Sequence, residues 1–308
     1  MFNIFRTNGL LTGMFVFLVL AWRHLAGELR KVESIVAESN SRRPLLVEAL
    51  TFNHEVDMLE LRLNHSYPHV DLFIIVESQQ TFTGQPKPLY FDLHKSRFQP
   101  YQDKIRRFIN SEQMDLRRIS ESESFRRENR QRNYLQEVAR TLNLNDNDLI
   151  FQTDVDEIVD YTAPTLLEFL KSWDRRGVVY MINDMYYYDD ECYKGTWWKS
   201  FFMTYQEFLK RNLNRLRVYC DFPFKTRVKT GWHLSYFGGP EVVHQKLFSN
   251  AHTGQQKYAN LTYIRNRIKD CSLLWKPRAK GKRLPRSANP YPPPRLDHIW
   301  NWTNSALN

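Results

Sequence analysis

Carboxylates gather where the apolar runs of this chain stop. The run Leu149-Ile150-Phe151-Gln152-Thr153 ends in Asp154-Val155-Asp156-Glu157. Side chains alternate faces on an extended backbone, so Asp154 and Asp156 are expected on one side. Two clustered carboxylates suit a hard divalent cation, Mg²⁺ or Mn²⁺, which in turn neutralises a diphosphate. Asn53-His54-Glu55 with Asp57 follows another apolar run, and Glu77-Ser78 a third. Glu55 and Asp57 suit a helix start equally well, because acidic groups there complement the helix dipole. Glu77 suits a loop carboxylate bonded to backbone amides.

A buried sheet has to position these groups. Residues 45–52 and 70–76 read as strands. Between them, from Val56, Met58, Leu59, Leu61 and Leu63 ride among Glu60, Arg62 and Asn64, a helical pattern. Residues 128–142 read as a second helix, feeding a strand at 149–151, and 176–184 as a further strand. Strand, helix, strand predicts an α/β fold with a mixed, mostly parallel sheet flanked by helices. Open sheets of this kind bind ligands beyond the C-terminal ends of their strands. That is where the carboxylates fall.

The 308 residues, 42% of them hydrophobic, can build one large or two small cores. A formal charge of +10 fits nucleic acid, an anionic membrane surface or an anionic substrate. Much of the excess is local: Lys276, Arg278, Lys280, Lys282, Arg283 and Arg286 crowd the Pro-containing stretch 276–308, expected to be a solvated tail. Nucleic-acid binding is therefore not expected.

After a short tail (1–8), residues 9–22 are almost wholly apolar, between Arg6 and Arg23. No small-x-small cleavage site follows, so the run reads as an uncleaved signal-anchor, short enough for the thinner secretory-pathway membranes. Residues 23–44 read as a stalk. A single-pass protein of the Golgi or another secretory membrane, with its large domain in the lumen, is the expectation. The sequons Asn64-His65-Ser66, Asn260-Leu261-Thr262 and Asn301-Trp302-Thr303 agree with it mildly. Cys192, Cys220 and Cys271 match no metal-ligand spacing, and at most one bridge can form among them.

A family resemblance is carried by blocks in a fixed order. They are Phe52-Asn53-His54-Glu55-Val56-Asp57-Met58-Leu59-Glu60-Leu61-Arg62-Leu63, Val76-Glu77-Ser78 with Thr81-Phe82-Thr83-Gly84 and Lys87-Pro88-Leu89, and Gln131-Arg132-Asn133. Thr153-Asp154-Val155-Asp156-Glu157-Ile158 and Gly231-Trp232-His233-Leu234-Ser235-Tyr236 complete the series. From about residue 45 to 267 the chain resembles glycosyltransferase family 17, which contains the β-1,4-mannosyl-glycoprotein 4-β-N-acetylglucosaminyltransferases. The last block is closer to the bacterial and microbial members, whose acceptors vary. The resemblance implies a GT-A-like domain over 45–275, a UDP-GlcNAc donor, a divalent cation (Mn²⁺ or Mg²⁺), a glycan or glycoprotein acceptor and inversion at the anomeric carbon.

Under that resemblance Asp154 and Asp156 would hold the metal and the donor's diphosphate or ribose, with Glu157 in support. Arg132 would reach a phosphate with a bidentate fork, and Asn133 the uracil or ribose. Asp57 and Lys246 join the donor-binding candidates. His233 and His252 are candidate further metal ligands, although a lone His is more often structural. Inversion needs a base on the acceptor hydroxyl. Glu77, Glu55 and Asp184 are candidates from strand ends, and Glu241 from its place beside Gly239-Pro240. The aromatic stretch from Tyr186 to Phe202 offers rings for sugar stacking, with core packing the commoner fate. A metal-dependent phosphodiester enzyme and a non-catalytic glycan-binding protein are the rival readings.

Overall fold

The computed structural model describes residues 42–111, 120–220, 225–276 and 278–300. The expected anchor at 9–22 and nearly all of the stalk at 23–44 lie outside them. Among the described residues no helix is long and apolar enough to cross a membrane. Residues 44 onward form one compact unit.

The sheet is built around strands that are apolar on both faces. β1 (Leu46–Phe52) and β2 (Leu72–Ser78) are buried almost throughout. They pair in parallel, and β1 pairs in parallel with β4 (Leu149–Asp154) on its other side. β3 (Ile105–Asn110) adds to β2, giving the parallel order β3-β2-β1-β4. Beyond β4 the sheet turns mixed. β8 (Phe201–Thr204) runs antiparallel to β4, and β6 (Val179–Tyr187) pairs with β8. β7 (Cys192–Trp197) is antiparallel to β6, while β9 (Arg227–Ser235) is parallel to it. The two-residue β5 (Glu157–Ile158) joins β9 antiparallel. The fold is therefore mixed α/β, as the sequence pattern predicts.

Helices α1 (Val56–Ser66) and α2 (Glu121–Ala139) belong to the parallel half. α2 starts seven residues earlier than its apolar pattern suggests. Ser120 caps it by accepting a hydrogen bond from the Glu123 N–H at 3.3 Å, and Glu121 and Glu123 supply charge to the first turn. β2 begins at Leu72 rather than residue 70, since the Val70 N–H still closes the α1 turn on the Ser66 carbonyl. α3 (Pro164–Ser172), α4 (Gly239–Ser249) and α5 (Leu261–Lys269) complete the longer helices. Of the aromatic stretch, Tyr186, Tyr188, Phe201 and Phe202 are buried in the core clusters.

The basic stretch after Lys276 is not a free tail in the residues described. Lys282 and Arg283 form β10 against β7, and Arg283 pairs with Asp189 at 2.5 Å and Arg286 with Asp190 at 3.0 Å. Of its cations, Arg283 and Arg286 are thus met by buried carboxylates. A disulfide joins Cys192 on β7 to Cys271 just after α5, and Cys220 stays a buried thiol. Farther on, the Tyr291 ring stacks on Trp232 of β9 with centroids 4.6 Å apart. Its hydroxyl donates to Asp160 at 2.7 Å and accepts from the Gly231 N–H at 3.1 Å. The C-terminal stretch therefore braces β9 from outside the sheet.

Candidate active site

The ends of β1, β4 and β9 open on a cavity of about 710 Å³. Asp154 and Asp156 both stand in its wall. β4 stops at Asp154, and the chain turns through Val155 and Asp156 before β5. The shared outlook of the two carboxylates thus comes from a turn, not from strand alternation.

That turn is shaped from beneath by Arg62, which is fully buried on α1. Its Nη1 donates to the carbonyls of Asp154 at 2.8 Å and Glu157 at 3.0 Å, and its Nη2 to Thr153 Oγ1 at 2.5 Å. Its Nε donates to Glu48 at 2.6 Å, and Glu48 also accepts from the Tyr161 hydroxyl at 2.9 Å. A buried guanidinium so fully paired satisfies carbonyls that a tight turn would otherwise leave without donors.

Each cavity-facing carboxylate of the turn meets cations. Asp154 meets Arg217 at 2.6 Å and Arg132 at 3.4 Å. Asp156 meets Lys246 at 2.7 Å and His233 at 3.6 Å. Burial alone would raise both carboxyls, but Arg217 and Arg132 hold Asp154, and Lys246 and His233 hold Asp156, below the ordinary carboxylate value. Burial likewise opposes charge on Lys246, yet Asp156 and Glu55 raise it above the ordinary lysine value. Asp154, Asp156 and Lys246 are therefore charged at neutral pH. The cavity is a lattice of fixed, alternating charges.

The other predicted site residues divide between this cavity and elsewhere. Glu55, Arg132, His233, Lys246 and His252 line it. Glu55 accepts from the His54 N–H at 3.0 Å and lies 3.5 Å from Lys246. Burial would raise its carboxyl, but His54 and Lys246 keep it below the ordinary value. His252 stands on the rim, half exposed, 3.5 Å from Glu121. Tyr187 and Trp197 of the aromatic stretch also reach the wall.

Glu157, expected to support a metal, is turned away from the cavity. It is fully buried, accepts from Trp197 Nε1 at 2.6 Å and the Asp154 N–H at 2.8 Å, and pairs with Arg217 at 2.8 Å. Asn133, expected at the uracil or ribose, instead accepts from Asn214 Nδ2 at 2.8 Å, and Asn214 holds Arg132 at 2.9 Å. Asp57, expected at the donor, pairs with Arg97 at 2.6 Å in a separate cavity. Three base candidates stand outside the main cavity. Glu77 is sealed under Lys87 and Arg107 at 3.3 and 3.0 Å. Asp184 pairs with Lys229 at 3.4 Å, and the exposed Glu241 with Arg265 at 2.9 Å. Of the four, Glu55 alone is brought to the cavity.

Sequence reasoning missed Arg217, Asn214 and Tyr291. Arg217 lies on the helical turn Leu213–Val218 and bridges Asp154 to Glu157. Its pattern, Asn212-Leu213-Asn214-Arg215-Leu216-Arg217, offers only a capped helix start as a signal.

Gly231 deserves its glycine. Its φ is +72°, and an added Cβ would collide with the Ile158 carbonyl oxygen. Gly231→Ala is expected to cost roughly 3 kcal/mol in urea unfolding and to cut turnover, since β9 would pull His233 from Asp156. Unchanged stability and unchanged turnover would show that the close approach is dispensable.

The charged cavity lies beyond the strand ends of a mixed α/β sheet, where open sheets of this kind bind their ligands. Residues 30–270 match glycosyltransferase family 17. The chain belongs to that family and is a transferase enzyme, a glycosyltransferase. None of the curated proteins compared with the chain matches it. Among solved structures it is similar to 4-diphosphocytidyl-2C-methyl-D-erythritol synthase, at 12% identity and a TM-score of 0.37, over 61% of this chain and 90% of that one. It is also similar to GalNAc-T7 solved with UDP, GalNAc and Mn²⁺, at 10% identity and a TM-score of 0.38. That likeness covers 74% of this chain and 55% of the other. Likenesses this distant define neither ligand nor reaction here.

Proposed function

We propose that this chain transfers N-acetylglucosamine from UDP-GlcNAc to a glycan hydroxyl with inversion at the anomeric carbon. One observation carries the reading: Asp154 and Asp156 leave a central parallel strand together, in the wall of a cavity ringed by Arg132, Arg217 and Lys246. The cations are suited to a diphosphate, which Arg132 and Arg217 would grip through their planar forks.

In the proposed reaction the acceptor oxygen bonds to the sugar's anomeric carbon. The bond from that carbon to the β-phosphate oxygen breaks, and its electron pair leaves with UDP. The acceptor's proton passes to a base, and Glu55 is the candidate at the cavity. Arg132, Arg217 and Lys246 stand where charge grows on the leaving group, fixed in advance by their carboxylate partners.

The residues fit a divalent cation. Asp156 and His233 face each other at 3.6 Å, an oxygen and a nitrogen donor, with Asp154 on the same wall. The buried His233 Nδ1 has no hydrogen-bond partner among the described residues. No set of three such side chains assembles among the described residues, so an ion here would be held by one or two protein groups and completed by phosphate and water. When bound, such an ion would supply Lewis-acid stabilisation of the departing diphosphate. EDTA is expected to abolish UDP release from UDP-GlcNAc by the purified full chain, and Mn²⁺ to restore it. Turnover indifferent to EDTA would assign the whole charge role to the arginines and Lys246. No UDP release from any UDP-sugar, with Mn²⁺ present, would sink the transferase reading as stated.

We place the protein, also as a proposal, on a Golgi or other secretory membrane, anchored by residues 9–22 with its catalytic domain in the lumen. The Cys192–Cys271 disulfide supports an oxidising compartment. A glycoprotein acceptor is compatible with that address.

A further inference from the structure

A second cavity lies on the far side of Glu55. It measures about 220 Å³, and among the described residues Glu55 is the one that lines both it and the main cavity. The volume is below the ~300–1,000 Å³ of sites that engulf drug-sized ligands, so it suits a single ring. Its walls carry the aromatic rings of Tyr90 and Phe237, with His94 beside them. Its edge carries charge: Arg97 pairs there with Asp57 at 2.6 Å, and both are partly exposed. Aromatic faces with charged, hydrogen-bonding edges match a pyranose, which is apolar on one face and ringed by hydroxyls.

We infer that this cavity receives the acceptor sugar, and that Glu55 is the wall across which its hydroxyl meets the donor. The inference rests on the transferase reading above. The two substrates of a direct displacement must approach one carbon from opposite sides, with the base beside the incoming hydroxyl. The main cavity, with its arginines and lysine, is committed to the anionic donor. The second has the apolar surface that a neutral sugar needs, and its common boundary with the first is a carboxylate. Tyr90 is also held in place, since its hydroxyl accepts from Gln245 Nε2 at 2.8 Å.

The test separates transfer from donor hydrolysis, in which water replaces the acceptor. UDP-GlcNAc with Mn²⁺ and a panel of p-nitrophenyl hexopyranosides would be given to the full chain, to Val242→Trp and to Tyr90→Ala. Val242 lines the second cavity and not the first, so the larger ring fills the proposed sugar site. The wild type is expected to transfer to at least one panel member. In both variants the ratio of transfer to hydrolysis should fall at least tenfold, with a raised acceptor KM. Tyr90→Ala keeps the test open should the larger side chain prevent folding. An unchanged ratio and KM in a folded variant would overturn the inference. So would wild-type donor hydrolysis without transfer to, or saturation-transfer NMR contact with, any panel member. If the wild type hydrolyses no donor, the transferase reading itself fails, a result distinct from either.

Discussion

Asp156→Ala is expected to abolish measurable sugar transfer, a loss of at least a hundredfold, and also to destabilise the protein by about 3–5 kcal/mol. The two losses have different origins. Asp156 lines the cavity proposed to hold the donor, where fixed charge would organise the leaving diphosphate. It is also the closer anionic partner of Lys246, at 2.7 Å against 3.5 Å for Glu55. Removing it leaves the buried Lys246 charge with Glu55, at 3.5 Å, as its remaining carboxylate partner, so most of the compensation is lost. The double variant Asp156→Ala/Lys246→Met should therefore recover most of the stability in urea unfolding while transferring nothing. Recovery of transfer in the double variant would mean that Asp156 serves only to hold Lys246.

Arg62→Met is expected to be as damaging, from a residue that touches no cavity. Among the described residues it leaves buried Glu48 with the Tyr161 hydroxyl alone, and it takes the donors from the Asp154 and Glu157 carbonyls. A loss of about 3–5 kcal/mol follows from the broken buried pair. Turnover should fall further than the folded fraction does, because the carboxylate turn loses its shape. Arg62→Lys keeps the charge but cannot reach Glu48, Thr153 and the turn at once, so it should be intermediate in stability and still poor in kcat. Equal kcat in folded Arg62→Lys and wild type would limit Arg62 to a packing role.

The parallel core and its acidic exit were legible because their signals are local. β1, β2 and β4 are buried on both faces and mostly apolar, and their ends are where an open sheet presents polar groups. What failed was telling one carboxylate from its neighbour. Glu157 and Asp156 are adjacent, yet one is sealed against Arg217 and Trp197 and the other opens on the cavity. Side-chain direction through a turn is set by tertiary partners, and Arg217 lies 60 residues from Glu157. Glu77 has the same history, at a strand exit but locked by Lys87 and Arg107. The docking of the basic stretch was hidden because Asp189 and Asp190, which pair with Arg283 and Arg286, lie 94 and 96 residues away from them. Lys246 and Arg132 were reached through family blocks, since neither has a spacing that reveals its partner.

The brace that Tyr291 lays against Gly231 and Trp232 sets a clock on maturation. Ribosomes deliver the carboxylate turn, the strand bearing His233 and the lysine facing Asp156 well before they deliver Tyr291. Until that ring arrives, the Gly231 amide lacks the hydroxyl it donates to and Trp232 lacks its stacking partner. A polypeptide that stops short of residue 291 thus carries the charged groups of the main cavity while β9, which bears His233, is still unsecured. Securing β9 therefore waits on residue 291, far downstream of the strand it holds.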